Sequence, residues 1–128
     1  MRVLLADQHS NVRWALRTAI REEPEMVVVG EAADSSELKS KAYALKPDVV
    51  LMEWELPGRP PDAVLSELRA VAPRPYVVVL SQRSELEKVA LASGADAFFS
   101  KANEPDGLLI VLRSLARRYR GATDHRLV

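Results

Sequence analysis

Five polar residues that follow apolar runs carry the groups able to do chemistry: Asp7, Gln8, Glu53, Ser81 and Lys101. Glu53 is the most telling. The run Val49-Val50-Leu51 leads into Met52-Glu53-Trp54-Glu55-Leu56, and Pro57-Gly58 then folds the chain back. A strand ending there delivers a carboxylate into a loop. Asp7 and Gln8 follow the run Val3-Leu4-Leu5-Ala6, Ser81 follows Tyr76 to Leu80, and Lys101 follows Ala97 to Ser100. Other chemistries lack their parts. No cysteine is present, which excludes thiol chemistry and a disulfide framework. Catalytic triads, a P-loop and a dinucleotide fingerprint are absent, and Gly58 and Gly94 stand isolated. His9 and His125 have no partner at metal-ligand spacing and are assigned no chemistry.

The elements that must position these groups follow from the apolar pattern. Arg2 to Ala6, Met26 to Gly30, Asp48 to Met52, Tyr76 to Leu80 and Ala97 to Ser100 read as buried strands, rich in Val and Leu rather than alternating. Such runs suit a parallel sheet covered on both faces. Between them, Val12, Leu16 and Ile20 recur at a helical interval. Asp34-Ser35-Ser36-Glu37 reads as a capping box opening a second helix. Val64, Leu65 and Leu68 mark a third, with Pro61 in its first turn. Ser84-Glu85-Leu86-Glu87 is read as the cap of a fourth, stopping at Gly94, and Leu108, Leu112 and Leu115 mark a fifth from Glu104-Pro105. Strand and helix alternating five times give a doubly wound α/β domain, because each crossover is right-handed and lays its helix on a face. Ligands of such sheets bind beyond the carboxyl ends of the strands. All five polar residues fall at that edge.

Composition allows one soluble domain. The 128 residues are enough for a sizeable core, and Lys plus Arg equals Asp plus Glu at 18 each, so no global field draws the chain to nucleic acid or a membrane. No stretch approaches the roughly 20 apolar residues of a membrane span. The apolar start, interrupted by Asp7, is too short for a signal peptide. A cytoplasmic location is the default.

Together Asp7-Gln8, Glu53, Ser81 and Lys101 resemble the active site of a response-regulator receiver domain, the phosphorylation module of two-component signalling. The resemblance covers residues 2 to about 116 and implies a flavodoxin-like five-stranded parallel sheet of order 2-1-3-4-5 with five helices. Residues 1–119 would form the receiver and 120–128 a tail or linker stub. In that family the acid at the position of Glu53 accepts the phosphoryl group. Acids at the positions of Asp7 and Gln8, with the backbone carbonyl at Glu55, hold magnesium. The residues at Ser81 and Lys101 contact the phosphoryl group, and the aromatic at Phe98 changes rotamer on activation. The stretches His9-Ser10-Asn11-Val12-Arg13 and Ala102-Asn103-Glu104 look like the receiver subgroup linked to helix-turn-helix output domains.

Two positions depart from the family pattern: Glu stands where Asp is expected, and Gln8 where a second acid is expected. Gln8 keeps one oxygen ligand but removes a full charge. At about 4 Å and an effective dielectric near 20, one charge pair is worth roughly 4 kcal/mol before desolvation. Magnesium binding should therefore be weak or absent, and no other cofactor is expected. Glu53 carries its oxygens one methylene further, towards Ser81 and Lys101, and out of line for phosphoryl transfer. The expected function is a non-enzymatic interaction module, phosphorylation-independent, with a Glu53–Lys101 pair fixing its conformation. A phosphoacceptor using Glu53, or a small-molecule sensor in the vacated crevice, are the alternatives. Asp7 as a cap of the first helix and Ser81 as a partner for loop backbone are the plainer readings of those two residues.

Partners leave a fainter trace. Leu108-Leu109-Ile110-Val111-Leu112 is apolar around more than one helix face. That surplus, with the family's habit, suggests a homodimer through the fourth helix, last strand and fifth helix. The resemblance implies a protein partner, either a histidine kinase or an output protein. Arg113, Arg117, Arg118, Arg120 and Arg126 make a basic end that lacks an alternating stripe with aromatics, so direct nucleic-acid binding is not expected. Trp54 is expected over the crevice rim and Trp14 partly exposed on the first helix.

Overall fold

A computed structural model describes residues 1–101 and 105–127. The connection Ala102-Asn103-Glu104 and Val128 lie outside the described residues, as do the side chains of residues 105, 106 and 119–127, His125, Arg120 and Arg126 among them. Five strands alternate with helices: β1 Arg2–Ala6, α1 Ser10–Arg21, β2 Val27–Ala32, α2 Ser35–Leu45, β3 Val49–Glu53, α3 Pro61–Arg69, β4 Tyr76–Ser81, α4 Glu87–Ala92, β5 Ala97–Ser100 and α5 Pro105–Leu127. The strands form one sheet of order β2-β1-β3-β4-β5, parallel at every pairing. This is the flavodoxin-like doubly wound fold that the alternation of elements predicts. Among the described residues, no helix is long and apolar enough to cross a membrane.

Continuous apolar strands give the sheet two buried faces. Leu4, Ala6, Val50, Met52, Val77 and Val79 pack against α2, α3 and α4 through Leu38, Val64, Leu65, Leu68 and Ala90. Their neighbours Val3, Leu5, Val49, Leu51, Val78 and Leu80 face the other way, towards Ile20 of α1 and Leu108, Leu112 and Ala116 of α5. The period of two within each strand thus feeds two cores.

Several boundaries differ from the sequence reading, and each has a local cause. β2 runs two residues past Gly30, because Glu31 and Ala32 still pair with Leu5 and Ala6. Met26 belongs to the preceding turn, with its N–H donated to the Glu23 carbonyl. β3 and β4 each extend one residue further, so Glu53 and Ser81 are the last residues of their strands rather than loop residues; Glu53 is still in register with Leu80. The expected Ser84 cap is not formed. Ser84–Leu86 is a single 3-10 turn entered from Arg83, and α4 starts only at Glu87, with no side-chain cap on either. The second helix starts as expected, with Asp34 accepting the Glu37 N–H at 2.8 Å, but Glu37 reaches back to the N–H of Ala33 at 3.4 Å rather than to the cap residue.

Candidate functional site

Three strands supply an ionic cluster at the carboxyl edge of the sheet. Asp7 follows β1 directly and donates its backbone N–H to the Ala32 carbonyl at 3.0 Å, which carries the β1–β2 pairing one step past the strand. Its side chain is buried. Oδ1 accepts the backbone N–H of His9 at 2.8 Å and lies 3.1 Å from His9 Nδ1; Oδ2 accepts from Lys101 Nζ at 2.7 Å. Asp7 is not the α1 cap, since that position falls to His9, whose side chain makes no capping bond. Glu53, only 6% exposed, ends β3. Its Oε1 accepts the Glu55 N–H at 3.3 Å, and Oε2 forms an ion pair with the Lys101 ammonium. Lys101 is itself anchored, because its backbone N–H bonds the Ser81 carbonyl at 2.8 Å and prolongs the β4–β5 pairing. From one edge of the sheet it therefore reaches over β4 and joins the acids of β1 and β3.

Charge arithmetic explains why this cluster survives burial. An ionised carboxylate moved from water into the interior costs several kcal/mol unless it is matched. One ammonium between two carboxylates leaves the trio at a formal charge of minus one. Burial pulls the Lys101 ammonium towards neutrality, but its hydrogen bonds and charge contacts with Asp7 and Glu53 outweigh burial and hold its pKa above the ordinary value. Lys101 is a fixed cation at neutral pH.

Of the remaining expected site residues, Glu55 and Ser81 meet this cluster through their backbones alone, by the Glu55 N–H to Glu53 and the Ser81 carbonyl to the Lys101 N–H. Ser81 is buried, and its Oγ accepts the backbone N–H of Arg83 at 3.0 Å, so the hydroxyl serves its own loop. Gln8 turns Nε2 towards the Glu55 carbonyl at a long 3.5 Å, and its Oε1 is buried with no hydrogen-bond partner among the described residues. The Glu55 carboxylate points outward to Arg83, 3.6 Å away. Phe98 is partly buried against the α2–α3–α4 core, while Phe99 packs on the opposite layer. Trp54, partly buried, packs against the same core as Phe98, and its backbone N–H is fixed by the Leu80 carbonyl at 2.9 Å. Trp14 is 60% exposed.

Two contributors escaped the sequence reading. His9 was assigned nothing, yet it supplies a backbone donor and a ring nitrogen to Asp7. Arg83 bridges the β4 loop to Glu55 and Glu85. Each stands two residues after a strand-end polar residue, the spacing at which a side chain or backbone amide turns back on a loop. That spacing was the available signal.

Fold and crevice together define a doubly wound α/β domain with an acid-and-lysine pocket at its carboxyl edge. The chain belongs to the response regulator receiver domain family, whose pattern matches residues 3–113. It is 34% identical over 116 residues to the nitrate/nitrite response regulator protein NarL of Escherichia coli K12, covering 89% of this chain and 54% of that protein. Among solved structures, it is similar to the response regulator domain of Thermotoga maritima CheB, at 30% identity and a TM-score of 0.77, covering 92% of this chain and 94% of that one. A LuxR-family two-component response regulator from Aurantimonas sp. SI85-9A1 is similar at 26% identity and a TM-score of 0.82, covering 91% and 84%. The chain spans about half the length of NarL. It is a receiver domain of the two-component response-regulator type.

Proposed function

We propose that this receiver signals by partner binding without taking a phosphoryl group, held in one conformation by Lys101. The observation that carries the reading is the Lys101 ammonium set between Asp7 and Glu53, with both acids buried. Glu53 supplies one negative charge near the place a phosphoryl group would occupy, against roughly 1.5 to 2 for a phosphorylated side chain. A phosphoryl group arriving on Glu53 would have to separate a buried ion pair before gaining one of its own. The longer side chain also sets its oxygens out of line for attack, and phosphoryl transfer depends mostly on positioning and charge stabilisation.

The donor set fits magnesium poorly. This ion demands near-octahedral oxygen coordination and gives up its water reluctantly. Both Asp7 oxygens already accept donors, one from His9 and one from Lys101. Gln8 contributes no charge, and its amide N–H faces the Glu55 carbonyl, the backbone oxygen that the family pattern assigns to the metal. The domain is then a non-enzymatic module whose partner is a protein, a histidine kinase or an output protein.

Intact mass after incubation with a small phosphodonor and magnesium tests this. We expect no adduct on the wild type and on Gln8→Asp, and labelling restored in Glu53→Asp or in Glu53→Asp with Gln8→Asp. A stoichiometric wild-type adduct that Glu53→Gln abolishes would overturn the reading and make Glu53 a working acceptor.

A further inference from the structure

A concavity lies beside the ionic cluster, between α1 and α5, and of the residues lining it only Lys101 enters the function proposed above. Its volume is about 360 Å³, within the roughly 300–1,000 Å³ of small-molecule sites. Leu16, Ala19, Phe99 and Leu109 line its apolar wall, while Asn11, Gln82 and Lys101 supply polar groups. Leu80, Leu112 and Ile20 close its floor from the core. The small side chains of Ala15 and Ala19 keep the two helices from filling the gap.

We infer that this cavity is a binding site for a neutral, mainly apolar small molecule carrying one hydrogen-bonding group. Three observations select that occupant. Most of the wall is hydrocarbon, so an apolar body is required. The amides of Asn11 and Gln82 offer both donors and acceptors, which suits one polar head. Lys101 is already matched by Asp7 and Glu53, and that trio is net negative, so an anionic head finds no unpaired cation there. Lys101 belongs both to the cavity lining and to the ionic cluster. A seated ligand therefore touches the side chain that closes the acidic crevice, a direct route from occupancy to conformation.

The probe is N-phenyl-1-naphthylamine, a neutral apolar fluorophore with a single N–H. Titration into the intact chain should give saturable enhancement at one site per chain, with a dissociation constant on the order of 10–100 μM. Ala19→Leu and, separately, Ala15→Leu fill the cavity and should each weaken binding by about tenfold or more, with circular dichroism and melting temperature confirming that the variants fold. Both variants need not fold for the test to stand, since either one reads the same space. Three results would overturn the assignment: no saturable enhancement, binding untouched by both substitutions, or binding lost instead on Ile110→Ser, which alters an exposed face of α5 away from the cavity. A concentration-dependent dimer broken by Ala19→Leu, with no probe bound by the monomer, would give the groove to a second copy of the chain and also overturn it. None of these readouts depends on whether Glu53 takes a phosphoryl group.

Discussion

At the scale of single residues, Lys101 is the group on which the crevice depends. Removing its charge leaves Asp7 and Glu53 buried without the ammonium that joins them. Breaking a buried pair by deleting one partner costs about 3–5 kcal/mol, because the abandoned charge keeps its desolvation penalty. We expect Lys101→Met to lose that much in urea unfolding at neutral pH, and Glu53→Gln on the same background to recover a substantial part. A loss under about 1 kcal/mol would mean that water already screens the cluster. The pH dependence has a definite sign. The Lys101 pKa is raised above its ordinary 10.5, so its stabilising contribution is complete below that value and fades as pH climbs through the higher folded value. Stability of the wild type minus that of Lys101→Met should thus be flat from about pH 7 to 10 and shrink beyond. A difference that grew above pH 10 would contradict the pairing. Residue identities alone placed Asp7, Glu53 and Lys101 at one edge, since each follows an apolar run. Nothing in them revealed that both oxygens of Asp7 are engaged, because the His9 bonds depend on how the loop turns.

Among the elements, the loop after β3 decides where Glu53 points, and it is pinned to the start of α2. Ser35 donates its backbone N–H to the Pro57 carbonyl at 2.9 Å, and its Oγ accepts the Arg59 N–H at 2.9 Å. Gly58 makes that approach with φ of 114°, and a Cβ there would lie 2.0 Å from Ser35 Oγ and 3.1 Å from Ser35 Cβ. Gly94, at the end of α4, has φ of 113°, but the atoms nearest its added Cβ would be those of the Arg69 guanidinium, the far end of a flexible side chain. Both alanine substitutions carry the backbone penalty of about 1–2 kcal/mol. Gly58→Ala adds a clash with a buried, short side chain that cannot swing aside. We expect its melting temperature to fall clearly further than that of Gly94→Ala, and equal losses would show that the β3 loop can separate from α2. Much of this scale was legible. Pro57-Gly58 announced a turn, and Asp34 announced a helix start. The fourth helix was not, because Ser84 looked like a cap while the chain spends Ser84–Leu86 in a 3-10 turn braced by Arg83 and Glu85. A hydroxyl at the right spacing signals a cap only if the backbone leaves it an open N–H.

For the whole molecule, the sheet separates two cores and the ionic cluster bridges the strands above them. Five continuous apolar runs made the parallel, doubly covered sheet readable, and the family pattern added its strand order. Which face each helix covers came from the alternation within strands, visible only once the register is known. The consequence is mechanical. Lys101 extends from the last strand and holds acids that follow the first strand and end the third, so β1, β3 and β5 are tied at one edge while Ser81 of β4 stays with its own loop. Reorganisation around the crevice would require Lys101 to exchange Glu53 for another anion. Beryllofluoride with magnesium supplies such an anion, but it needs a carboxylate oxygen free to coordinate beryllium and a site able to hold the divalent ion. Here the acids are engaged and Gln8 adds no charge. Amide spectra of the wild type should accordingly be unchanged on adding beryllofluoride and magnesium. The double variant Glu53→Asp with Gln8→Asp, which shortens one acid and adds another, should shift amides along β4 and β5, Phe98 and Lys101 included. Wild-type shifts spreading over those strands would mean that the Lys101 bridge opens readily, and that the domain switches as a phosphate-responsive receiver despite its glutamate.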